Sequence, residues 1–159
     1  PYRTEAWSFM LSGGAILSHL DYSFTVAHPD GTAPIIGSTP GHGGPAWRAQ
    51  LTALKRFLDG FDLPAMKPHP EAAVMANALH VQTAVLAEIG KQYGVYLWGG
   101  GPTLDFVLAL PAGDYEATWV NPSDGKVLRT KDIDGHTGGG LTLRTPIFLE
   151  DLALKVVRK

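Results

Sequence analysis

The stretch that decides the fold is YGVYLWGGGPTLDFVLALPAGDYEATWV, residues 93–120. Its apolar residues recur at every second position, and GGGP and PAGD interrupt the runs, as expected for short strands joined by turns. Within LDFVLAL one face collects apolar side chains, which suits a sheet packed on one side. These side chains are Leu104, Phe106, Leu108 and Leu110. Short strands with a turn every eight to twelve residues or so predict an antiparallel β-sandwich or barrel.

The same period of two continues towards the end of the sequence. Three further strand-like runs follow, at residues 126–133, 140–146 and 151–159. Between the first of them and the preceding strand lies NPSDG. This motif predicts the turn of a β-hairpin between the strands of Trp119 and Leu128, with Gly125 at positive φ.

The beginning of the sequence follows a helical period instead. TEAWSFMLSGGAILSHL, residues 4–20, predicts a helix, and LDYSFTV, residues 20–26, predicts a single strand. A long Gly- and Pro-rich loop comes next, and PAWRAQLTALKRFLDGF, residues 45–61, predicts a second helix. Trp7 and Trp47 fall on the apolar faces of these helices, so we interpret both as core residues.

Together these patterns predict an α+β fold, with a short helix–strand–helix segment followed by an antiparallel β-sandwich. The predicted boundaries are residues 1–66 for the first part, 67–79 for a linker and 80–159 for the sandwich. Residues 71–90 are ambiguous because their composition favours a helix. We expect a loop there, followed by a strand from about His80.

Composition excludes several classes of partner. The 159 residues carry a formal net charge of −2, and no cluster of Lys and Arg forms the basic footprint that nucleic acid or anionic lipid requires. No apolar run approaches the ~20 residues of a membrane span. There is no cysteine, which excludes disulfides and thiolate metal sites. The remaining partner class is a small molecule or another protein chain.

Several segments carry a family resemblance. AWSFMLSGGAILSHLDYSFTVAHPDG, PGHGGPAWRAQLTALKRFLDGFDLPAMKP, LPAGDYEATWVNPSDGKV and EDLALKV resemble the C-terminal part of cellulase-like glycoside hydrolases. In that family a (β/α)8 barrel is followed by a β-sandwich often labelled a collagen-binding domain. The resemblance implies that residues 1–66 are the last helix, strand and helix of the barrel. It also implies carbohydrate as the associated molecule and secretion as the destination. Relatives tend to carry an acidic residue at the position of Pro29.

The resemblance implies that the usual catalytic pair is missing. Glycosidases of this type need two carboxylates flanking the scissile bond, and in such barrels both usually lie upstream of the region matched here. Among this chain's own carboxylates, Asp21 and Asp30 lie where the C-terminal face of a barrel would be. They are therefore the candidate catalytic residues, and we expect them to cluster with Tyr22 and His28 at the exposed end of a strand.

A second chemistry is open to the loop of residues 28–44. His28, Asp30 and His42 lie on or beside it, and two imidazoles with a carboxylate can hold a divalent metal that activates water. Their spacing matches no standard metal signature, and both histidines can equally be solvated loop residues.

Substrate binding has three candidates: one in the predicted strand of residues 20–26, one on the loop of residues 28–44 and one in the predicted sandwich. Tyr22 and His28 lie beside the candidate carboxylates, and Trp98 precedes GGG, where an exposed ring could stack on a sugar.

Two functional hypotheses follow. The first is a glycoside-hydrolase-related, carbohydrate-associated protein or fragment without the catalytic pair. The alternative is a small stand-alone hydrolase, with or without a metal, whose site lies in the loop of residues 28–44. Under either hypothesis we expect a homo-oligomer, because the apolar helix faces and the strand of residues 20–26 would otherwise lack partners.

Overall fold

The computed structural model describes residues 2–35, 43–75, 80–101 and 103–159, which form two α-helices and nine β-strands. The helices are α1 (Tyr2–Leu11) and α2 (Pro45–Leu58). The strands are β1 (Lys67–Pro68), β2 (Ala73–Met75), β3 (Gln82–Glu88), β4 (Gln92–Trp98), β5 (Asp105–Leu110), β6 (Gly113–Val120), β7 (Val127–His136), β8 (Gly139–Arg144) and β9 (Asp151–Arg158). They pair antiparallel in two sheets, ordered β1-β3-β4-β9-β6-β7 and β2-β5-β8. The predicted antiparallel sandwich is confirmed.

The six-stranded sheet is the middle layer of three. On β4, Tyr93, Val95 and Leu97 belong to the core shared with the three-stranded sheet. Tyr96 belongs to a second core, on the opposite face, which the helices cover. Because both faces of β4 are buried, this strand reads as an almost continuous apolar run instead of an alternating one.

The three-stranded sheet is covered on one face only. Phe106, Leu108 and Leu110 of β5 are buried in the sandwich core and Leu104 packs against it, as their alternation predicts. Trp119 of β6 lies in the same core, with its ring 5.7 Å from that of Phe106. The apolar alternation of β5 therefore identified the inner face correctly.

The helices pack on the outer face of the middle sheet. Trp7 of α1 and Trp47 of α2 are buried in their shared core, which confirms both as core residues. Helix α2 begins at Pro45 as predicted. Helix α1 ends at Leu11 and not at residue 20, because the adjacent Gly-Gly pair disfavours helical continuation. Neither described helix combines the length and apolarity needed to cross a bilayer.

The strand predicted at residues 20–26 is absent, and that prediction is wrong. The segment is irregular, with turns and bends. Asp21 Oδ1 accepts a hydrogen bond from the Ser23 backbone N–H at 3.0 Å, and this local turn competes with an extended ladder. Further along, Thr25 and His28 exchange backbone hydrogen bonds of 3.2 and 3.1 Å, which reverses the chain.

The segment expected to be a linker, residues 67–79, supplies strands to both sheets in its described part. Strand β1 pairs with β3, and β2 pairs with β5.

The hairpin predicted around NPSDG is confirmed. Gly125 has a φ of 75° and donates to the Asn121 carbonyl at 2.8 Å, in the turn between β6 and β7.

Candidate functional site

The residues proposed from the sequence lie on two elements. The irregular loop before α2 carries four of them: Asp21, Tyr22, His28 and Asp30. Trp98 is the last residue of β4. His42 lies outside the described residues. The expectation of a cluster at the end of a strand is wrong, because the described part of this loop has no strand and is organised by turns.

Asp21 anchors this loop to α2. Its Oδ1 accepts hydrogen bonds from the Ser23 hydroxyl at 2.5 Å and from the Gly44 backbone N–H at 2.9 Å. Its Oδ2 lies 2.6 Å from Nη1 of Arg48. Arg48 also donates to the Ser23 hydroxyl and to the Gly31 carbonyl, each at 2.9 Å. Both carboxylate oxygens therefore hold the loop against the first turn of α2.

These contacts lower the pKa of Asp21 well below its usual value. The Ser23 hydroxyl contributes most, the Gly44 N–H and the Arg48 guanidinium add to it, and burial acts in the opposite direction. Asp21 is therefore ionised at neutral pH. A glycosidase general acid needs a raised pKa and a proton to donate. The geometry favours a structural anion, and the catalytic role of Asp21 stays a prediction.

Asp30 and His28 are joined through Thr32. Asp30 Oδ1 accepts from the Thr32 hydroxyl at 2.7 Å, and the same hydroxyl lies 3.3 Å from Nδ1 of His28. Hydrogen bonding to Thr32 lowers the pKa of Asp30. The partners of Asp30 and Asp21 differ, so no hydrogen bond of the described residues joins the two carboxylates into a pair.

The metal hypothesis rests partly on His42, which is not among the described residues. Within residues 2–35, 43–75, 80–101 and 103–159, no three His, Asp or Glu side chains are grouped so that they could hold a metal ion. The site of His28, Asp30 and His42 therefore stays a prediction.

The two aromatic candidates differ in exposure. Tyr22 is exposed, whereas Trp98 is partly buried against the core beneath the helices. The Trp98 ring stacks on Tyr96 with centroids 5.4 Å apart, and Tyr96 in turn stacks on Trp7 at 5.6 Å. Tyr22 is therefore the freer platform, and Trp98 offers only part of its ring.

A pocket of about 460 Å³ lies beside this loop, along α2. Leu17, Leu51, Leu54 and Leu58 are among the side chains that give it a mainly apolar wall. Its size falls in the range of small-molecule sites. Four charged side chains also line it: Asp21, Arg48, Lys55 and Asp59.

The sequence did not indicate the pocket's most unusual members. His19 packs between Tyr2 and Trp47, with ring centroids 4.8 and 5.4 Å away. Both ring nitrogens of His19 and Nε1 of Trp47 are buried without a hydrogen-bond partner. The helix predicted over residues 4–20 would place His19 near its end, and no spacing rule connects this residue to an aromatic residue of α2.

A second polar cluster fixes α1 to the middle sheet. Arg3 Nε and Nη2 donate to the two oxygens of Asp151 at 2.8 and 3.0 Å. Tyr96 donates to Asp151 Oδ2 at 2.8 Å, and burial raises the pKa of this phenol. Glu150 accepts a further bond from Arg3. The Asp151 side chain is only 3% exposed, so we interpret this cluster as structural. We call the contacts of Arg3 with Asp151 and Glu150 the latch, because they fix α1 to the start of β9.

No protein-family model matches the sequence, and no curated protein matches it significantly. Solved structures do show a similar fold. One is described as a glycoside hydrolase, with 18% identity and a TM-score of 0.54, covering 79% of this chain and 30% of that chain. Another is a glycoside hydrolase family 5 protein from Bacteroides vulgatus, with 16% identity and a TM-score of 0.54. It covers 72% of this chain and 25% of that chain.

The present chain thus spans less than a third of either solved chain. At these identities the similarity concerns the fold alone, since one fold can host many functions. Structurally, the protein resembles part of these glycoside hydrolases and contains an antiparallel β-sandwich.

Proposed function

We propose that this protein is a carbohydrate-associated module related to glycoside hydrolases and that it does not itself cleave glycosidic bonds. The observation that carries the proposal is the similarity of its fold to two glycoside hydrolases at a TM-score of 0.54. The short segment of residues 1–66 is then a piece of a barrel, although the strand expected between its helices is missing.

The state of Asp21 supports the non-catalytic part of the proposal. A retaining or inverting mechanism needs one carboxyl that donates a proton and one free carboxylate. Asp21 is ionised and uses both oxygens within the fold. Asp30 is exposed and bonded to Thr32, without a neighbouring carboxyl among the contacts of the loop.

Tyr22 is the residue we assign to carbohydrate contact, with a contribution from Trp98. The flat faces of aromatic rings pack on the apolar faces of sugar rings. Tyr22 is 43% exposed, on the loop that Asp21 and Arg48 hold against α2. Its backbone is therefore anchored at the neighbouring residue, which lowers the entropy lost on binding.

Binding is tested by affinity electrophoresis and tryptophan fluorescence with cellulose fragments, mixed-linkage glucan and xylan. We expect binding to at least one of these, and a Tyr22→Ala variant should weaken it about tenfold, an effect of about 1.4 kcal/mol. Phe9→Ala is the matched control, because Phe9 is also 43% exposed but lies on α1. Equal losses in both variants, or no binding to any glycan, would contradict the assignment.

Hydrolysis is tested on the same glycans by measuring new reducing ends. We expect none above the blank. Hydrolysis that Asp21→Asn or Asp30→Asn abolishes would favour a catalytic carboxylate instead. Hydrolysis that a chelator abolishes, with sensitivity to His28→Ala and His42→Ala, would favour the metal-dependent hydrolase of the loop of residues 28–44.

A further inference from the structure

A second pocket, of about 390 Å³, lies where the first turn of α1 meets two loops of the sandwich. One loop is the NPSDG turn between β6 and β7, and the other is residues 145–150, directly before β9. Every lining residue is among those that the structure describes, and none belongs to the loop that carries Tyr22. The volume falls in the range of small-molecule sites.

The loop before β9 has a fixed backbone. Its Glu150 carbonyl accepts hydrogen bonds from the backbone N–H groups of Gly99 and Gly100, at 3.1 and 3.0 Å. Its Phe148 carbonyl accepts another from the Gly101 N–H at 3.2 Å. A ligand that binds to this wall therefore loses little free energy in ordering the loop.

The pocket has an aliphatic wall that is open to solvent. Ile147 is 74% exposed, Leu149 is 89% exposed and Leu128 is 46% exposed. Such side chains pack on the C–H groups of a ligand, and covering them removes apolar surface from water.

Two polar side chains of the lining have N–H groups to spare. Arg3 uses Nε and Nη2 for the latch, whereas its Nη1 donates to no described residue. Asn121 Oδ1 accepts from the backbone N–H and the hydroxyl of Ser123 at 2.9 and 2.8 Å, whereas its Nδ2 likewise donates to no described residue. Each side chain is held at one end, so its free donors are already oriented.

The charge of the lining disfavours an anionic ligand. Arg3 is its one cation and is matched by two carboxylates, Asp151 and Glu150. A phosphate or carboxylate ligand would therefore meet a net negative charge. The Glu150 side chain is 75% exposed and can accept hydrogen bonds from a ligand. The lining thus suits a neutral molecule that has hydroxyl groups at its edge and C–H groups on its faces.

We propose that this pocket binds a short stretch of a neutral sugar chain. The proposal rests on the proposed function and adds a contact surface on the sandwich to the one at Tyr22. Sugar hydroxyl groups accept from Arg3 and Asn121 and donate to Glu150. A face of the sugar ring packs on Ile147.

Nuclear magnetic resonance locates the site in the isotopically labelled protein. We titrate it with trisaccharides of cellulose, xylan and mixed-linkage glucan. The side-chain NH2 signals of Asn121 should shift with at least one of them, because its free donors meet the sugar. The backbone amide signals of Ile147 and Leu149 should shift with the same dissociation constant. The signal of Ile89, in the turn between β3 and β4, should stay in place.

Ile147→Ser tests the aliphatic wall, and Ile89→Ser is the matched control. Ile89 is also an exposed isoleucine, at 49%, but it does not line the pocket. Ile147→Ser should raise the dissociation constant about fivefold, because the sugar covers much of this side chain. Ile89→Ser should leave the constant unchanged. Both positions are exposed, so circular dichroism should show native folding in both variants.

Three results would overturn the proposal. Equal effects of the two variants, or shifts confined to the surroundings of Tyr22, would exclude this pocket and leave the proposed function intact. No shift with any trisaccharide, together with no glycan binding in affinity electrophoresis, would contradict both. Shifts at Asn121 with inorganic phosphate but with no trisaccharide would make the pocket an anion site instead.

Discussion

Asp21 shows at the scale of single residues how a carboxylate in a loop can stabilise a fold. Asp21→Asn removes the ion pair with Arg48. It also replaces one carboxylate oxygen by an amide NH2 group, which cannot accept the hydrogen bonds that neighbouring donors make to Asp21. We expect a loss of about 1–3 kcal/mol in the free energy of unfolding at pH 7, measured by urea denaturation. Asp30→Asn is the control and should have little effect, because Asp30 is exposed and bonds only within its own turn.

The same residue gives a pH dependence with a definite sign. The pKa of Asp21 is lower in the folded protein than the unfolded value of about 3.9. Its stabilising effect is therefore complete above pH 5 or so, and is lost as the pH falls below about 4 towards the folded pKa. The difference in unfolding free energy between the unaltered protein and Asp21→Asn should shrink between pH 5 and pH 3. A constant difference across this range would show that ionisation of Asp21 does not contribute.

Single residues also show what the sequence could not predict. Trp7 and Trp47 were predicted as core because helical spacing is a local property. The role of Asp21 depends on Gly44 and Arg48, which are 23 and 27 residues away, and on turns that no period reveals. His19 was missed for the same reason, since its aromatic neighbours come from both helices.

At the scale of elements, α1 depends on its latch to the start of β9. Arg3→Ala leaves the Asp151 carboxylate, whose side chain is only 3% exposed, without its cation. We expect a loss of about 2–4 kcal/mol, together with a change in the fluorescence of Trp7, which packs on Tyr96. Lys55→Ala is the control: it removes an exposed pair with Asp59 and should change stability by less than about 0.5 kcal/mol. Similar losses in the two variants would argue against the latch.

In the GGGP loop between β4 and β5, the backbone of Gly100 lies close to the backbone of Leu149, and an alanine substitution tests whether this contact requires glycine. A Cβ on Gly100, whose φ is 73°, would lie 2.2 Å from the Leu149 carbonyl oxygen. Gly135 has a similar φ of 62° but no atom within 4 Å of such a Cβ. Gly135→Ala should therefore cost only the strain of the left-handed conformation, about 1–2 kcal/mol. Gly100→Ala adds a backbone overlap, so we expect about 3–5 kcal/mol by thermal or chemical denaturation. Equal costs would refute the overlap.

The elements themselves were predictable to different degrees. Strand β5 and helix α2 followed from periodicity because each carries a full apolar face. The strand at residues 20–26 failed although its composition is β-rich. A strand needs a continuous ladder of backbone hydrogen bonds. Among the described residues, this segment has only isolated ones, from the Ala33 N–H to the Ser23 carbonyl and between Thr25 and His28. Strands β1 and β2 were not predicted, because two or three edge residues are too few for a period.

For the whole molecule, the three layers predict one cooperative unit. Helix residues such as Trp7, Leu54 and Phe57 share a core with Tyr96 of the middle sheet. We therefore expect a single unfolding transition, with coincident curves from far-ultraviolet circular dichroism and tryptophan fluorescence in urea. Two separated transitions would instead support the predicted division into residues 1–66 and 80–159 as independent domains.

The place of β9 in the sheet affects how the protein folds during its own synthesis. This strand is the last along the sequence, yet it lies in the centre, between β4 and β6. A chain leaves the ribosome with its N-terminal residues first. Until residues 151–158 emerge, the β3–β4 and β6–β7 hairpins cannot be joined, and each keeps an open edge. Pairing at such sequence separation is slow. The nascent sheet should therefore keep these two open edges until β9 has emerged.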